Sequence, residues 1–314
     1  MKYNIAFAIN KNHLLFAFIT IHSLLQHNQE NFFDIYLQHN NCLTQQDIDI
    51  FLSSPPLENF SNFKIHLLDC STIEELKDIK NHAIWPKEIY FKLFLPNLLP
   101  NIDKILFLDT DTLIIENIKQ FLDTDLKNNI ICGDSPYNNT DVVAGVSLIN
   151  LALARENKFT EKSITFIKNS YGTDRVAHEE AAINTIFYGK IIFANNIATL
   201  ISKSTTKKNF NIVHFVRVKP WKFNRIVVNS NIRKLYLAYL ANLKLFAKNK
   251  TNRVLLVSLY LFLLYGGFNI TSAFTRLRNT YYKHILKLPK YEYVHKDFIT
   301  SFIKNSTLGS SKKS

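Results

Sequence analysis

The sequence predicts an α/β protein with a doubly wound, mainly parallel sheet. Over the first two thirds of the 314 residues, short apolar runs alternate with stretches of helical pattern, which is the order that βαβ units require. Apolar residues make up 47% of the chain, which is enough for a large core and argues against global disorder. The most informative stretch, residues 104–115, is an apolar run that ends in a pair of aspartates.

Each predicted strand is a short apolar run between polar turns. The strands cover residues 4–9, 32–38, 62–68, 105–108, 113–115, 129–132, 142–149, 190–194 and 211–216. The helices cover residues 14–26, 44–51, 86–95, 151–168 and 176–187, and one more begins at the capping box 71–74. We expect Thr44 to cap the second helix and Pro86 to start the helix at 86–95.

Asp109 and Asp111 follow the buried strand 105–108 directly. Open α/β sheets bind their ligands beyond the carboxyl ends of the strands. Two carboxylates one residue apart can bind one hard divalent cation, which keeps open positions for water and for phosphate oxygens. The alternative is an acidic turn without a ligand, because Asp-x-Asp alone is a weak signal.

Cysteine usage points to a reducing compartment. Cys42, Cys70 and Cys132 are scattered and none belongs to a C-x-x-C pair, so we expect small core residues and neither a disulfide framework nor a zinc cluster. The first ten residues are too short and too polar to be read as a secretory signal.

The net charge of +13 is concentrated near the end of the chain. Residues 215–314 contain 19 lysines and arginines against two acidic residues, which gives +17, and residues 1–214 carry −4. A mildly acidic body with a strongly basic tail predicts an anionic partner for the tail, such as a membrane surface, a phosphorylated glycolipid or nucleic acid.

An uncharged apolar block, residues 254–265, lies within this tail. Twelve residues are fewer than the roughly 20 that a helix needs to cross a bilayer. We therefore favour an interfacial helix over a buried helix, and a buried helix over a spanning one. The apolar block suits lipid better than nucleic acid, and the tail contains no recognisable nucleic-acid-binding module.

Three further stretches bear on the aspartate pair. In chain order they are Ala144-Gly-Val-Ser-Leu-Ile-Asn150, His178-Glu-Glu-Ala-Ala-Ile-Asn184 and His214-Phe-Val-Arg-Val-Lys-Pro-Trp221. With Asp-x-Asp upstream, this ordered set resembles glycosyltransferase family 8, and most of all its bacterial lipopolysaccharide and lipooligosaccharide galactosyl- and glucosyltransferases. The resemblance covers roughly residues 3–222 and implies the GT-A type of nucleotide-diphospho-sugar transferase fold.

The resemblance implies roles for individual residues. Asp109, Asp111 and His214 match the family's Mn²⁺ ligands, and carboxylate oxygens with an imidazole suit Mn²⁺, with Mg²⁺ as the alternative ion. Taken alone, His214 on a strand would more often be a structural histidine. Lys219 matches the lysine that holds the donor diphosphate, and Thr110 the position along the nucleoside.

Further matches concern the two ends of the donor. Ala8, Asn10 and Asn12 match the loop that holds uracil and ribose. Glu179 and Glu180 match polar residues near the reacting face of the transferred sugar, although a solvated helix face is their plainer interpretation. Lys92 matches an arginine that reaches the donor sugar and phosphate, and Asp134 is a looser match near the acceptor.

The chain departs from the family pattern at several positions. Asn10 stands for an aspartate, His13 for an aromatic residue that stacks on uracil, and Lys92 for an arginine, whose bidentate fork is lost. Val143 replaces an asparagine and cannot hydrogen-bond a sugar hydroxyl. The spacing from His214 to the lysine is one residue shorter than usual. These departures leave the metal ligands intact and bear on the sugar and the base.

Together these observations predict a metal-dependent retaining hexosyltransferase. It would move galactose or glucose from a UDP-sugar to a lipid-linked glycan of the lipopolysaccharide type. Residues 1–225 would form the catalytic domain and residues 226–314 a basic, mostly helical region that docks on anionic lipid at the cytoplasmic face of the membrane. Retention can proceed by front-face attack, which we favour, or through a covalent adduct on Glu179 or Glu180. The alternative function is a membrane-associated binding protein with little or no turnover.

Overall fold

The structure is a computed structural model of the 314-residue chain, and it describes residues 1–52, 55–80, 86–136, 140–171, 177–199, 210–216, 219, 236 and 239. The chain divides into two units, one formed by Met1–Ile48 and Phe60–Arg217 and the other by Asp49–Asn59 and Val218–Ser314. The apolar block 254–265 lies outside the described residues. No helix among the residues that are described has the length and apolarity needed to cross a bilayer.

A seven-stranded sheet forms the centre of the first unit. Its strands are β1 (Lys2–Ala8), β2 (Phe32–His39), β3 (Phe63–Asp69), β4 (Lys104–Leu108), β6 (Ile131–Asp134), β7 (Val143–Asn150) and β8 (Ile191–Ala194). Their spatial order is β3-β2-β1-β4-β7-β6-β8. Each neighbouring pair is parallel except for those that β7 makes with β4 and β6. The mainly parallel α/β architecture predicted from the sequence is therefore confirmed.

A second sheet of three strands includes one that lies near the end of the first unit. It consists of β5 (Thr112–Ile114), β9 (Ile197–Thr199) and β10 (Ile212–His214) in the order β5-β10-β9. β10 is antiparallel to β5 and parallel to β9. The predicted runs at 113–115 and 211–216 are strands as expected, but they belong to this small sheet, and β9 was not predicted.

In the described part of the chain the helices are short apart from α1 and α8. The α-helices are α1 (Leu14–His27), α2 (Gln45–Leu52), α3 (Pro55–Glu58), α4 (Glu74–Lys77), α5 (Leu95–Leu98), α6 (Lys119–Leu122), α7 (Leu151–Glu156), α8 (Phe159–Asn169) and α9 (Glu179–Ile186). Three 3₁₀ helices cover Lys11–His13, Lys87–Phe94 and Tyr188–Lys190. α1 is buried continuously from Leu14 to Leu25, and it packs against β5.

Local sequence signals predicted some helix ends and missed others. Thr44 caps α2, since its Oγ1 accepts a hydrogen bond from the Asp47 amide at 3.2 Å. The prediction of a capping box at 71–74 was wrong. Helix α4 begins at Glu74 and no side chain caps it, while the Ser71 amide donates a hydrogen bond to the Asp69 side chain. The predicted helix 151–168 is broken between α7 and α8 at Lys158, whose φ of 55° is left-handed.

The strand order locates the candidate site. The chain runs outward from β1 through β2 to β3, and then returns to β4 on the other side of β1. A crevice forms beyond the carboxyl ends of the strands where the order reverses in this way. Ala6 pairs with Phe107, so Ala8 and Asp109 both lie two residues further along, at the same edge of the sheet.

Candidate metal centre and its surroundings

Three ligand groups meet at this edge of the sheet. Asp109 follows β4, Asp111 precedes β5, and His214 ends β10, where it lies opposite Thr112. The His214 Nε2 atom is 3.5 Å from Asp109 Oδ2 and 3.4 Å from Asp111 Oδ1. One ligand atom from each residue lies within 4.8 Å of the other two. Residues that are more than 100 positions apart in the chain thus form one cluster.

A glycine makes this approach possible. Gly145, near the start of β7, accepts a hydrogen bond from the Asp109 amide at 2.7 Å. A Cβ atom at this position would overlap both the His214 ring and Asp109 Oδ2. Because β7 runs against its neighbours, its first residues lie at the edge where β4 ends. The space between Asp109 and His214 therefore depends on the missing side chain at position 145.

Opposite charges within and beside the cluster stabilise one another. Burial alone would lower the pKa of His214, but hydrogen bonds and attraction from Asp109 and Asp111 outweigh it and raise this pKa to about 9. Burial would raise the pKa of Asp109, yet Lys92 and His214 lower it. The site thus favours an ionised Asp109 carboxylate, and a positive charge beside it is favourable whether a proton on His214 or a metal cation supplies it.

These residues fit a divalent metal. The side chain of His214 is 4% exposed and turns Nε2 toward both carboxylates, while Asp109 is 39% exposed and leaves one side of the cluster open. Two carboxylate oxygens and one imidazole nitrogen are ligands that suit Mn²⁺. The geometry brings together the three residues predicted as ligands. An imidazole must be neutral to bind a metal, so metal would displace the proton that His214 otherwise holds.

A buried lysine connects this cluster to helix α9. Lys92 is 2% exposed, and its Nζ lies 3.2 Å from Glu179 Oε1, 3.3 Å from the Ala144 carbonyl and 3.7 Å from Asp109 Oδ1. It also lies 4.5 Å from the centre of the Phe107 ring. Burial would lower the pKa of Lys92, but Asp109 and Glu179 outweigh it and raise the pKa. Lys92 therefore stays charged between two acidic groups.

The two glutamates occupy different environments at the start of α9. Glu179 is buried and paired with Lys92. Glu180 is half-buried, and burial together with the neighbouring Glu179 charge raises its pKa to about 7. The plain interpretation of both as a solvated helix face is wrong for Glu179, which is 7% exposed.

The loop after β1 lies at the same edge of the sheet. The side-chain oxygen of Asn10 accepts a hydrogen bond from the Asn12 amide at 3.1 Å and caps the short 3₁₀ helix Lys11–His13. A carboxamide oxygen has two lone pairs, so one remains for a ligand. Lys11 pairs with Asp47 at 3.0 Å. The β1–β4 register places Ala8 at the same edge of the sheet as Asp109, and Asn10 and Asn12 lie in the capped turn that follows Ala8.

The remaining predicted residues have separate surroundings. The Thr110 carbonyl oxygen lies 3.4 Å from Thr20 Oγ1. Asp134 is buried at the end of β6 and accepts a hydrogen bond from the Thr199 amide at 2.9 Å. Lys219 belongs to the second unit, and its part in holding a diphosphate stays a prediction. Val143 is buried, as an apolar residue would be.

Sequence reasoning missed two kinds of residue. It did not identify why position 145 must be glycine, since that reason depends on which strand lies beside Asp109. It also passed over Thr20 and Ser23, which are fully buried in α1 and hydrogen-bond to the segment that follows Asp109. The signal was present, because Thr20 and Ser23, together with His22, are the polar residues in the apolar stretch from Leu14 to Leu25.

Comparison with known proteins places this geometry in a family. Residues 4–225 match the family model described as glycosyl transferase family 8. The chain is 24% identical over 207 residues to a lipopolysaccharide 1,3-galactosyltransferase of Salmonella typhimurium, covering 59% of each protein. It is 22% identical over 253 residues to a lipopolysaccharide 1,2-glucosyltransferase of Escherichia coli, covering 70% of this chain and 73% of the relative. The match thus spans less than two thirds of the Salmonella protein.

Solved structures agree on the fold. The galactosyltransferase LgtC, in complex with donor and acceptor sugar analogues, superposes with a TM-score of 0.61 at 16% identity, over 80% of this chain and 99% of that one. The glycosyltransferase GlyE of Streptococcus pneumoniae TIGR4 gives a TM-score of 0.58 at 17% identity, over 75% and 60% of the two chains. These likenesses show the GT-A fold. The family model covers more than half of the chain, so this protein belongs to glycosyl transferase family 8.

Proposed function

We propose that this protein is a metal-dependent retaining hexosyltransferase. It would take galactose or glucose from a UDP-sugar and transfer it to a glycan of the lipopolysaccharide type. The observation that carries the proposal is the convergence of Asp109, Asp111 and His214 in a member of this family. Two relatives that are named as lipopolysaccharide galactosyl- and glucosyltransferases support the acceptor class and the hexose.

Asp109, Asp111 and His214 would hold the metal, which we propose to be Mn²⁺. When bound, this ion would neutralise charge that develops on the departing diphosphate, which is otherwise a poor leaving group. The chain's own residues orient the donor. Ala8, Asn10 and Asn12 would bind the uracil and ribose, Thr110 would lie along the nucleoside, and Lys219 would add a positive charge at the diphosphate.

Lys92, Glu179 and Glu180 would act on the transferred sugar. Glu179 is buried and its carboxylate is engaged by Lys92 at 3.2 Å, which makes it a weaker nucleophile than a free carboxylate. This contact supports front-face attack, in which a diphosphate oxygen takes the acceptor proton. A covalent adduct on Glu180 is the competing route, and intact-protein mass spectrometry after rapid quenching with donor would reveal it.

The catalytic domain of this proposal is residues 1–225. Residues 226–314 would dock on anionic lipid at the cytoplasmic face of the membrane, where the lipid-linked acceptor would lie. The charge of +17 on residues 215–314 and the apolar block 254–265 support this role. Nucleic acid is not expected as a partner. A protein that binds nucleotide sugar without turnover is the alternative, and the buried Val143 in place of an asparagine favours it.

Donor screening tests the proposal. UDP-glucose, UDP-galactose and their N-acetyl forms are incubated with Mn²⁺ and with lipopolysaccharide-derived glycans, and UDP release and glycan mass are measured. We expect one hexose donor to be consumed, and EDTA to stop the reaction. Asp111→Asn should abolish transfer. Asp103→Asn is the matched control, because Asp103 precedes β4 at the opposite end of the same strand and pairs with Arg155.

The outcomes separate the two functions. Tight UDP-sugar binding with neither UDP release nor transfer, for any donor, would favour the binding protein. Turnover that persists in EDTA and in Asp111→Asn would show that the metal mechanism is wrong.

A further inference from the structure

Among the described strands, β5 pairs with β10 alone, and helix α1 lies at its other edge. β10 pairs with one edge of β5. At the opposite edge, Thr20 Oγ1 donates to the Thr112 carbonyl oxygen at 2.8 Å, and the Ile114 amide donates to Ser23 Oγ at 3.1 Å. A carbonyl and an amide two residues apart point to the same edge of a strand. Thr20 and Ser23 are also neighbours on one helix face.

The proton assignments of this contact are consistent. Ser23 Oγ donates its own proton to the Thr20 carbonyl at 2.8 Å, so its lone pair is available to the Ile114 amide. Thr20 has one hydroxyl proton, and the Thr112 carbonyl is the nearest of the acceptors around it, with Phe16 at 3.3 Å and Thr110 at 3.4 Å. Thr20 and Ser23 are both 0% exposed, so water cannot replace either bond.

This contact fixes the segment that carries the candidate metal ligands. The Thr112 hydroxyl donates to the Asp109 carbonyl at 2.9 Å, and the Phe215 amide donates to the Asp111 carbonyl at 2.9 Å. The segment from 109 to 114 is therefore held from the β10 side by backbone pairing and from the α1 side by two hydroxyl groups.

We infer that Thr20 and Ser23 are positioning residues, which set the place of Asp111 relative to Asp109 and His214. The inference rests on the proposed metal site, because positioning matters for function only if these ligands bind a cation. Groups that orient metal ligands without touching the metal affect metal affinity by about 10–100-fold. We therefore expect loss of the Thr20 hydroxyl to weaken metal binding without removing any ligand.

The test compares deletion of a buried hydroxyl beside β5 with deletion of a buried hydroxyl that makes no hydrogen bond within the described part of the chain. Thr20→Val keeps the shape of the side chain and removes its donor, and Thr20→Ser keeps the donor. Ser23→Ala removes one acceptor and serves as a milder variant if Thr20→Val does not fold. Ser163→Ala is the matched control: Ser163 is also 0% exposed, lies in α8, and its hydroxyl has no hydrogen-bond partner within the described part of the chain.

Two measurements are made on the full-length protein. Hydrogen–deuterium exchange reports the protection of amides in residues 109–115, and electron paramagnetic resonance of free Mn²⁺ gives the Mn²⁺ affinity in the presence of UDP. We expect exchange of this segment to become about tenfold faster in Thr20→Val, which corresponds to one lost hydrogen bond. Mn²⁺ affinity should fall about tenfold. Thr20→Ser should restore both, and Ser163→Ala should leave both unchanged.

The outcomes distinguish this inference from the proposed function. If Thr20→Val and Ser23→Ala match Ser163→Ala in both measurements, the positioning role is wrong. If Ser163→Ala loses Mn²⁺ affinity equally, the effect is general destabilisation and the inference also fails. If the wild-type protein binds no Mn²⁺, the proposed metal site is wrong. In that case the inference that Thr20 and Ser23 position a metal site is also wrong. Faster exchange in Thr20→Val would then show only that the hydroxyl groups hold residues 109–115 in place.

Discussion

Gly145 illustrates how the site depends on a single absent side chain. A Cβ at this position would overlap the ring of His214 and the Asp109 carboxylate, so Gly145→Ala must push the ligands apart. Overpacking of this kind costs about 1–3 kcal/mol of unfolding free energy. We expect Mn²⁺ affinity to fall at least about tenfold, because the ligand geometry is displaced. Calorimetric titration with Mn²⁺ and UDP checks this.

Gly189→Ala provides the control for that substitution. Gly189 lies in the 3₁₀ helix Tyr188–Lys190, and a Cβ there would meet no atom within 4 Å. Its metal affinity should equal that of the wild type. Equal affinities in all three proteins would show that the ligands tolerate a shift at position 145.

Lys92 gives a second prediction at the residue scale. Lys92→Met keeps the volume but leaves Asp109 and Glu179 without their shared cation, with Glu179 buried. Breaking a buried ion pair in this way costs about 3–5 kcal/mol. The free energy of unfolding from urea titration should fall by that amount. The control Lys77→Met removes the partner of Glu74 in an exposed pair, 58% and 78% accessible, and should cost less than about 1 kcal/mol. Similar losses in both variants would refute the buried role of Lys92.

Contacts between residues close in sequence could be predicted, whereas contacts between distant residues could not. Asp109 and Asp111 share one turn, so their proximity follows from the sequence itself. His214 is about 100 residues away, and only the family resemblance predicted it as a metal ligand. The partners of Lys92 could not be predicted, because they are set by the packing of the 3₁₀ helix Lys87–Phe94 against β7 and α9 rather than by any local pattern.

At the scale of elements, apolar periodicity located the strands better than it located the helix ends. The buried strands β1, β2 and β4 match their predictions closely, since a strand between two helical layers is a nearly continuous apolar run. The α7–α8 break could not be predicted, because Lys158 adopts a left-handed conformation without being glycine or asparagine. The small sheet was missed as a unit because the β5–β10 pairing joins distant segments.

Helix α1 carries a histidine that should make stability depend on pH. His22 is 4% exposed, and burial lowers its pKa to about 4, with the charge of His27 contributing. Below the unfolded-state pKa of about 6.5 the unfolded chain takes up a proton that the folded chain does not. The contribution of His22 to the free energy of unfolding is therefore fully present above pH 6.5. It is lost as the pH falls toward 4, and the total loss is about 3 kcal/mol.

The measurement is the free energy of unfolding from urea titrations at several pH values between 4 and 7.5. His22→Gln should remove this contribution and flatten the profile by about 3 kcal/mol. His178→Gln is the comparison, because His178 is 41% exposed and lies outside α1. If the profile of His22→Gln follows the wild type over this range, His22 is not the group responsible.

At the scale of the whole molecule, the two parts of the chain differ in net charge. Residues 215–314 carry +17 and residues 1–214 carry −4. Each basic residue near an anionic surface contributes about 1 kcal/mol. We expect the full-length protein to sediment with vesicles that contain anionic lipid and to be released in part at about 0.5 M salt, where charges are screened. Neutral vesicles should bind it more weakly.

Paired substitutions locate this attraction. Arg276→Glu with Arg278→Glu should weaken sedimentation with anionic vesicles, whereas Lys158→Glu with Lys162→Glu, the same charge change in the body of the chain, should not. Binding that is insensitive to salt and to lipid charge would contradict an electrostatic contact. Retention after both salt and alkaline washing would favour a spanning helix instead.

The pairing of β10 with β5 also determines when the site comes into existence. β10 is the last strand of the first unit, and it places His214 opposite Thr112, a segment synthesised about 100 residues earlier. A ribosome-bound or truncated chain that ends before residue 214 has both aspartates but lacks the imidazole between them. The complete set of three proposed ligands therefore exists only in the finished unit, whereas a shorter chain offers the two carboxylates alone. If the proposed metal site is correct, binding of Mn²⁺ through all three ligands should first be observed once β10 has paired with β5.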